Sequence, residues 1–325
     1  MIITVGIDIS KDKFDVCIEK EGGSLDRRHF KNDQSGFKKF GYLLKNKNVI
    51  AGLESTGVYG ENLCQFLYDS GVTVYLMNPS QIKYYAKSIM KRSKTDQVDA
   101  AVIMQYIKLH AKTLTPWQPR STVYNQLKSI YRCLKTFKEN RVRTQGYIEA
   151  CTSTDRCGQS DALESYEVLL KSIDLQIQQL EKKLLNLIET CDELNLHYTH
   201  LQTIPGIGEQ TAIGLLSEMP DVKNFQHVKQ CVAYAGLNPS IKQSGTSVYG
   251  AGRISKTGSK ELRNLLYMPA LVGKNNCKAY KPFVDRLDEK GKKPKVIVVA
   301  VMHKILRIVF AVLKKGVPFD ATMIS

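Results

Sequence analysis

"IITVGIDISKDKFDVCIEK", residues 2–20, is the stretch that decides the fold. Its first part, residues 2–10, alternates apolar and polar side chains and is rich in Ile and Val, which predicts a β-strand. The second part, residues 13–20, predicts another strand after a tight turn at Lys11 and Asp12. Asp8 stands inside the first strand, where an acid is costly to bury unless it is paired or holds a metal ion.

Strands and helices alternate in the residues that follow. Strands are predicted over "VIAGLEST" (49–56) and "VTVYLMNP" (72–79), and a helix closed by Gly71 lies between them. A further helix is predicted to start near Ser80 and to continue through "DQVDAAVIMQYIKLH". Such alternation is typical of an α/β layer domain. The prolines of residues 113–122 mark its end.

Two long helical patterns come next. Each carries an apolar stripe at the spacing of a coiled-coil seam. The stripe residues are Leu127, Ile130, Leu134 and Phe137 in the first helix and Ile173, Ile177, Leu180, Leu184 and Leu187 in the second. The helices are expected to form an antiparallel hairpin or to pair between subunits, and an ordinary helical core would produce the same stripes.

Basic residues outnumber acidic ones, with 47 Lys and Arg against 31 Asp and Glu, for a net charge of +16. The excess falls in two blocks. Residues 83–143 hold fourteen basic and three acidic residues, residues 242–315 hold seventeen and four, and the segment between the blocks is acidic. Two separate basic blocks favour two surfaces that contact nucleic-acid phosphates. Solvated helix faces are the alternative.

Several classes of protein are disfavoured. The N-terminus lacks the basic and apolar regions of a signal peptide. The apolar stretch 296–313 is interrupted by one histidine and two cations, so it predicts a buried helix and not a membrane span. The eight cysteines form no C-x-x-C pair, which argues against a zinc site. Free thiols are expected, although Cys151 and Cys157 could pair.

Two aspartates stand out in the basic stretch "KRSKTDQVDA", residues 91–100. Asp96 and Asp99 would share one face of a helix, where like charges repel, so the pair needs a reason. Glu54 follows apolar strand residues, as Asp8 interrupts them. Acids at strand ends can converge at one edge of an α/β sheet, and their oxygens suit Mg²⁺, which serves phosphodiester chemistry.

Each acid could also have an ordinary structural role without any catalytic function. Asp96 could be a solvated helix residue and Asp8 a turn former. Four acids in the order strand, strand, helix are harder to attribute to chance than any one of them. We therefore interpret Asp8, Glu54, Asp96 and Asp99 as one set.

The residues around these acids resemble a known family. "GIDISKDKFDVCI", "GLESTGVYG" and "KTDQVDA" are similar in order and spacing to the motifs of DEDD transposases, the IS110 family of insertion-sequence recombinases. The resemblance covers nearly the whole chain, from Ile3 to about Phe310. It implies that the four acids are catalytic and hold Mg²⁺ (or Mn²⁺).

The resemblance also implies three parts. Residues 1–118 would form an α/β RuvC-like domain with an RNase H fold that carries the DEDD nuclease set. Residues 119–197 would form a helical coiled-coil segment. Residues 198–325 would form a mainly α C-terminal transposase domain, with a helix-hairpin-helix element and a loop that carries the catalytic serine.

"IPGIG", residues 204–208, is followed by an apolar run and predicts the helix-hairpin-helix element. Gly206 and Gly208 would let the backbone approach a phosphate, in a contact that is independent of base sequence. A plain packing corner between two helices is the alternative.

The segment 238–263 is rich in Gly, Ser and cations and predicts a phosphate-binding loop that runs into a helix. A flexible basic segment is the alternative. In the family that the chain resembles, the serine of the matching "SG" attacks DNA and forms a phosphoserine link. Here that residue is Ser244, before Gly245, and it needs a base or a metal for activation. The nearby competitors are Ser240, Ser247 and Ser255.

The expected nucleic-acid contacts lie in the basic blocks and in the glycine turn. They are Lys91, Arg92, Lys94, Gly206, Gly208, Lys242, Gly245, Arg253, Lys256, Lys260 and Arg263. The cations would hold the backbone on which the acids act.

The residues, together with what the family resemblance implies, predict an RNA-guided DNA recombinase that uses Mg²⁺ and a serine nucleophile. By resemblance, its partners are donor and target DNA, a noncoding guide RNA from the element, and further copies of the chain as a dimer and a tetramer. No membrane partner is expected, and the location is cytoplasmic.

Two other functions are open. A RuvC-like Holliday-junction resolvase using metal-activated water explains the acids but not the serine loop. A non-enzymatic nucleic-acid-binding protein explains the charge but not the acids. An inert copy of a transposase would keep the same motifs.

Overall fold

The computed structural model describes residues 2–20, 23–54, 59–90, 96–153, 160–240, 243–244, 248–249 and 253–324. Of residues 96–98, 160, 243–244, 248–249 and 324 it describes the backbone alone. The chain divides into two compact units, residues 1–119 and residues 120–325.

The first unit is built on one five-stranded sheet. Its strands are β1 (Ile2–Ile9), β2 (Lys13–Glu19), β3 (Leu25–Lys31), β4 (Asn48–Glu54) and β5 (Thr73–Met77). Their order in the sheet is β3-β2-β1-β4-β5. β1, β2 and β3 form an antiparallel meander, whereas β4 lies parallel to β1 and β5 parallel to β4. This mixed sheet with its helices is an RNase H-like α/β domain, as predicted.

Four helices accompany the sheet. They are α1 (Gln34–Leu44), α2 (Glu61–Asp69), α3 (Pro79–Ser88) and α4 (Asp96–His110). The sequence analysis did not predict β3 or α1. β3 is an edge strand with mostly exposed side chains, so its sequence lacks the apolar alternation that identifies β1.

The helix predicted to continue from Ser80 through Asp96 is wrong. α3 ends at Ser88, and Met90 has a φ of +53°, a left-handed conformation typical of a helix end. Residues 91–95 lie outside the described residues. Apolar spacing alone did not detect the break, because the residues before it and the residues after it both repeat with the helical period.

The second unit begins with α5 (Thr122–Ser153) and α6 (Ser160–Glu189). The two helices are antiparallel, since Lys138 pairs with Glu181 at 2.7 Å and Arg141, further along α5, pairs with Asp174, earlier on α6. The predicted apolar stripes are buried or packed against the core of this unit. The antiparallel hairpin is therefore confirmed, while coiled-coil packing stays a prediction.

In the described part of this unit, six further α-helices follow. They are α7 (Asp192–Gln202), α8 (Glu209–Glu218), α9 (Val228–Tyr234), α10 (Lys260–Asn276), α11 (Lys281–Glu289) and α12 (Pro294–Lys315). α12 is long and apolar enough to cross a membrane by length and composition. Ten of its side chains are nevertheless buried within the unit, which is the behaviour predicted for a core helix.

Charged contacts hold the C-terminal end of α8. Arg132 makes two hydrogen bonds of 2.8 Å to the carboxylate of Glu218, whose side chain is 4% exposed. The guanidinium of Arg120 donates to three carbonyl oxygens at the same end of the helix, those of Leu216, Ser217 and Met219. Terminal carbonyls have no partner within a helix, so Arg120 satisfies groups that the fold would otherwise leave unpaired.

Candidate functional site

Three carboxylates lie side by side across the sheet of the first unit. Asp8 pairs with Asp15 in the antiparallel ladder of β1 and β2. Ile7 pairs with Leu53 in the parallel ladder of β1 and β4, so Glu54 follows at the level of Asp8. Neighbouring residues in register point to the same face of a sheet, so the three acids share one face.

α4 covers that face. Gly6 lies two residues before Asp8, and a side chain there would collide with the backbone of α4. Gly52 lies two residues before Glu54, and a side chain there would collide with Ile107 of α4. The strands therefore have glycine where the helix approaches most closely, and an acid two residues further along the same face.

The direction of α4 brings its first turn to the acids. Gly6 faces Ala100, whereas Lys108 pairs at 2.7 Å with Glu19, which lies at the level of the start of β1. The helix therefore runs antiparallel to β1. Its N-terminus lies over the end of β1 that carries Asp8.

The two helical acids belong to that N-terminus. Asp96 is the first residue of α4, and Asp99 lies in its first turn and is partly exposed. The side chain of Asp96 lies outside what the structure describes. The backbone thus places all four predicted acids at one end of the domain, two on strands and two on a helix.

The donor chemistry of this group fits a hard divalent cation. Asp8, Glu54 and Asp99 are partly exposed carboxylates, and Mg²⁺ takes oxygen ligands. Among the side chains that the structure describes, no three His, Cys, Asp or Glu residues form a group that could hold a metal ion.

Asp15 is an acid of this row that the sequence analysis missed. It is 5% exposed, and in the sheet it lies opposite Asp8 of β1 and His29 of β3. Its carboxylate lies 3.1 Å from Nζ of Lys13. The alternation of residues 13–19 in the sequence indicates which side chains of β2 lie on the same face as Asp15. Only the register between the strands relates it to Asp8.

Asn32 links the loops that follow the strand acids, and it too was missed. Its side-chain amide donates to the carbonyl oxygens of Ser10 at 3.0 Å, Lys11 at 3.4 Å and Tyr59 at 3.1 Å. Ser10 and Lys11 follow β1, and Tyr59 lies between β4 and α2. An asparagine in a turn is common, so nothing in the local sequence marked this one.

The glycine turn of residues 204–208 connects α7 and α8, and the helix-hairpin-helix element stays a prediction. Gly206 has a φ of +90°, and a side chain there would stand 3.0 Å from the carbonyl oxygen of Pro269. The fold itself therefore needs this glycine. Gly208 caps α8, and nothing lies within 4 Å of a side chain placed there. The space beside this helix N-terminus is open.

The segment that carries Ser244 is an antiparallel arm. Its strands are β6 (Pro239–Ser240), β7 (Gln243–Ser244), β8 (Val248–Tyr249) and β9 (Arg253–Ile254). β6 pairs with β9 and β7 with β8, and Ser244 is the partner of Val248. Ser244 is therefore the last residue of β7 and lies opposite the first residue of β8, while residues 245–247 between them lie outside the described residues.

Glycines allow close approach at the base of the arm. Gly236 and Gly258 both have positive φ, and a side chain on Gly258 would collide with the carbonyl oxygen of Tyr234. That oxygen accepts a hydrogen bond of 2.7 Å from the amide of Ser259, and the amide of Lys256 donates to Gly236 at 3.1 Å. The arm thus starts from a hydrogen-bonded base, which a flexible loop would lack.

The predicted nucleic-acid contacts fall into three groups. Outside the described residues lie Lys91, Arg92, Lys94, Lys242 and Gly245. Exposed on the second unit are Arg253, Lys256 and Lys260. Arg263 differs, because its Nη1 donates at 2.9 to 3.2 Å to the carbonyl oxygens of Ala235, Gly258 and Ser259. One nitrogen of this guanidinium is therefore used by the fold.

Comparison with protein families gives two matches. A profile for the DEDD transposases of IS110, described as "Transposase", matches residues 5–153. A profile described as "Transposase IS116/IS110/IS902 family" matches residues 198–283. The first match contains all four predicted acids, and the second contains the glycine turn and Ser244.

Two curated relatives match over nearly their full length. The pilin gene-inverting protein of Moraxella bovis is 33% identical over 323 residues, which cover 97% of each chain. The transposase for insertion sequence element IS1328 of Yersinia enterocolitica is 25% identical and covers 98% of this chain and 99% of its own.

Among solved structures, the Thermus thermophilus RuvC structure covers 35% of this chain and 99% of that chain, with 16% identity and a TM-score of 0.27. A likeness at this TM-score adds no argument about the fold. The RNase H-like assignment rests on the order and directions of the five strands.

Proposed function

This chain belongs to the IS110 family of transposases, and we propose that it moves an insertion sequence by cleaving and rejoining DNA with a carboxylate-held divalent ion and a serine nucleophile. The family predicted from the motifs is confirmed, and it makes the protein a DNA-processing enzyme. The finer proposal is carried by one observation, the position of Asp8 and Glu54 at one level of the sheet face that α4 covers.

The family implies a divalent metal. In this chain Asp8, Glu54, Asp96 and Asp99 would hold Mg²⁺ or Mn²⁺ through their oxygens. A bound ion would supply positive charge to the scissile phosphate and to the oxygen that leaves it. The carboxylates orient this charge, and the N-terminus of α4 contributes its own partial positive charge beside them.

Ser244 is the proposed nucleophile. Its Oγ would bond to the scissile phosphorus while the bond from phosphorus to the leaving deoxyribose oxygen breaks, which yields a phosphoserine link and a free DNA hydroxyl. The serine proton passes to a base in the active assembly. Attack by a DNA hydroxyl on the link would rejoin the strands and release the serine. The place of Ser244 at the end of β7, in a segment whose base is hydrogen-bonded, supports this role.

Phosphate contacts would come from both basic blocks. The exposed cations Arg253, Lys256 and Lys260 support this part of the proposal, together with the open space at Gly208 at the start of α8. The other proposed contacts are Gly206, Lys91, Arg92, Lys94, Lys242, Gly245 and Arg263. Such contacts position DNA without reading its bases.

Further parts of the proposal follow from the family. A noncoding RNA from the element would guide the choice of donor and target DNA, and the chain would act as a dimer and a tetramer. Residues 1–118, 119–197 and 198–325 would form a nuclease domain, a coiled-coil segment and a transposase domain with a helix-hairpin-helix element. The reaction would take place in the cytoplasm, without a membrane partner.

Covalent trapping on labelled donor DNA tests the serine. The native chain with Mg²⁺ should form a protein–DNA adduct that survives denaturation, and Ser244→Ala should not. Ser240→Ala and Ser255→Ala are matched controls, because each removes a serine from the same segment, and both should keep the adduct. If Ser244→Ala still cleaves DNA and no variant forms an adduct, hydrolysis by a RuvC-like resolvase is the better account.

A further inference from the structure

Three cations gather where α11 packs on α12. The guanidinium of Arg286 lies 5.5 Å from the centre of the Phe283 ring, and Nζ of Lys304 lies 5.7 Å from it. Arg307 follows Lys304 by one helical turn and is exposed, as Arg286 is. Phe283 is partly buried against the core, so its ring holds two of the cations at defined positions. We call Arg286, Lys304 and Arg307 the α11–α12 cation cluster.

Acidic residues are missing from α12 and its flanks, whereas α11 carries Asp285, Asp288 and Glu289 near Arg286. The stretch from Lys290 to Phe319, which includes all of α12, has eight Lys and Arg and no Asp or Glu. Lys304 and Arg307 lie on one face of the helix, where like charges repel each other. An anion bound between these two side chains would reduce their mutual repulsion.

The ionisation of nearby groups agrees with a positive local potential. Burial, then the charges of Arg307 and Arg286, lower the pKa of Lys304 below its ordinary value. Burial and the charges of Arg307 and Lys304 lower the pKa of His303 in the same way. Each charged neighbour that causes these shifts is a cation, so an anion placed here would be favoured.

A membrane surface is the other polyanion that a basic, apolar helix suggests. A helix that lies in a membrane interface needs an exposed apolar face beside its cations. On α12, which the structure describes throughout, the large apolar side chains are buried or partly buried except Val296 near its start. The surface around the cluster is therefore charged but not apolar, which favours a nucleic acid.

We propose that the α11–α12 cation cluster binds backbone phosphates of duplex DNA, as a contact separate from the arm that carries Ser244. Lys and Arg side chains that meet phosphates supply affinity without base readout, so the contact is independent of sequence. The inference rests on the proposed function only in that the chain acts on DNA. It does not depend on the nucleophile or on the ion.

The salt dependence of DNA binding tests the cluster. Anisotropy of a fluorescent duplex of arbitrary sequence is measured over a KCl series for the native chain and for Lys304→Gln/Arg307→Gln. Removing one cation that binds a phosphate reduces the slope of log affinity against log salt by about 0.9, so the slope of the double variant should be smaller by about 1.8. The slope of Arg286→Gln should be smaller by about 0.9. A second duplex of unrelated sequence should give the same reductions.

Two further variants separate this site from general charge and from misfolding. Lys182→Gln/Lys183→Gln removes the same charge from exposed positions of α6 and should keep the native slope. Lys304→Arg/Arg307→Lys keeps both charges in the cluster and should also keep the native slope.

Three outcomes would overturn the proposal. An equal reduction of slope in both glutamine double variants would mean that net charge alone decides binding. An unchanged slope in Lys304→Gln/Arg307→Gln, with the serine adduct intact, would remove this contact while the proposed chemistry stands. An unchanged slope together with abolished binding to vesicles of anionic lipid would make the cluster a membrane surface.

Discussion

Neighbouring like charges on a sheet destabilise the pairing of its strands. Asp8 is opposite Asp15, and Glu54 lies at the same level on the next strand. Lys13 approaches the outer member of this row, Asp15, at 3.1 Å, and the Lys13 side chain is half exposed. Residues that cost stability in this way are typically kept for function, and carboxylates that share a cation would explain the row.

At the residue scale, the amide variants Asp8→Asn and Glu54→Gln should abolish strand transfer and weaken Mn²⁺ binding, because each removes a charged oxygen ligand. Asp15→Asn should weaken Mn²⁺ binding less, because Lys13 already engages that carboxylate. Mn²⁺ titration followed by electron paramagnetic resonance measures binding without DNA.

Two results would contradict these predictions for the acids. Full strand transfer by Asp8→Asn with native Mn²⁺ binding would contradict a catalytic and metal-binding role of Asp8. Equal loss of Mn²⁺ binding in Asp15→Asn and Asp8→Asn would make Asp15 a direct ligand.

At the scale of elements, an ion pair with α5 helps to hold the end of α8, beside the hydrogen bonds of Arg120. Burial raises the pKa of Glu218, but the hydrogen bonds and charge of Arg132 outweigh it and lower the pKa below the ordinary value of 4.5. A carboxyl whose pKa is lower in the folded state stabilises the protein above its unfolded pKa. That contribution disappears as the pH falls through the folded pKa, so this pair should weaken below about pH 4.5.

Arg132→Gln should lower the free energy of unfolding by about 2 kcal/mol at pH 7, because Glu218 stays buried without its partner. In this variant Glu218 lacks the charge of Arg132, so burial raises its pKa. The loss in free energy of unfolding should therefore shrink as the pH falls, because protonation removes the buried charge. Urea unfolding at a series of pH values measures both effects.

The matched control for this ion pair is Lys138→Gln. It breaks the pair with Glu181, whose side chains are 42% and 37% exposed. The change should stay within about 0.5 kcal/mol at every pH, because exposed pairs contribute little. Equal losses in the two variants would refute a special role for the buried carboxylate.

At the scale of the whole molecule, the residues proposed to bind DNA are cations, whereas those proposed to hold the metal ion are carboxylates. The net charge is +16, and its excess lies in two blocks of sequence on either side of an acidic segment. The carboxylate row belongs to the first unit, and both the arm with Ser244 and the α11–α12 cation cluster belong to the second. Loss of chemistry and loss of DNA binding should therefore follow from different substitutions.

Affinity for a duplex of arbitrary sequence should fall by about 10³-fold or more between 50 and 200 mM salt, as expected for several phosphate contacts. Asp8→Asn should bind DNA at least as tightly as the native chain, because it removes a negative charge from the region that meets phosphates. Anisotropy in a KCl series measures both. A fall of less than tenfold would contradict binding through the basic blocks.

The local pattern of residues determined much of this protein. Alternation and helical spacing predicted β1, β2, β4 and β5, the two long helices and the buried helix α12, because these periods follow from backbone geometry alone. The motifs around Asp8, Glu54 and Asp96 predicted the family. The catalytic roles of these acids and of Ser244 remain predictions.

Only the tertiary structure decided which residues meet. The strand order, the edge strand β3, the pairing of Asp15 with Asp8 and the contacts of Asn32 join residues that are far apart or differently placed in the chain. The break after Ser88 and the anchored arm around Ser244 were likewise absent from the predictions. The physical reason is that register and loop contacts are long-range hydrogen bonds, which local periodicity does not encode.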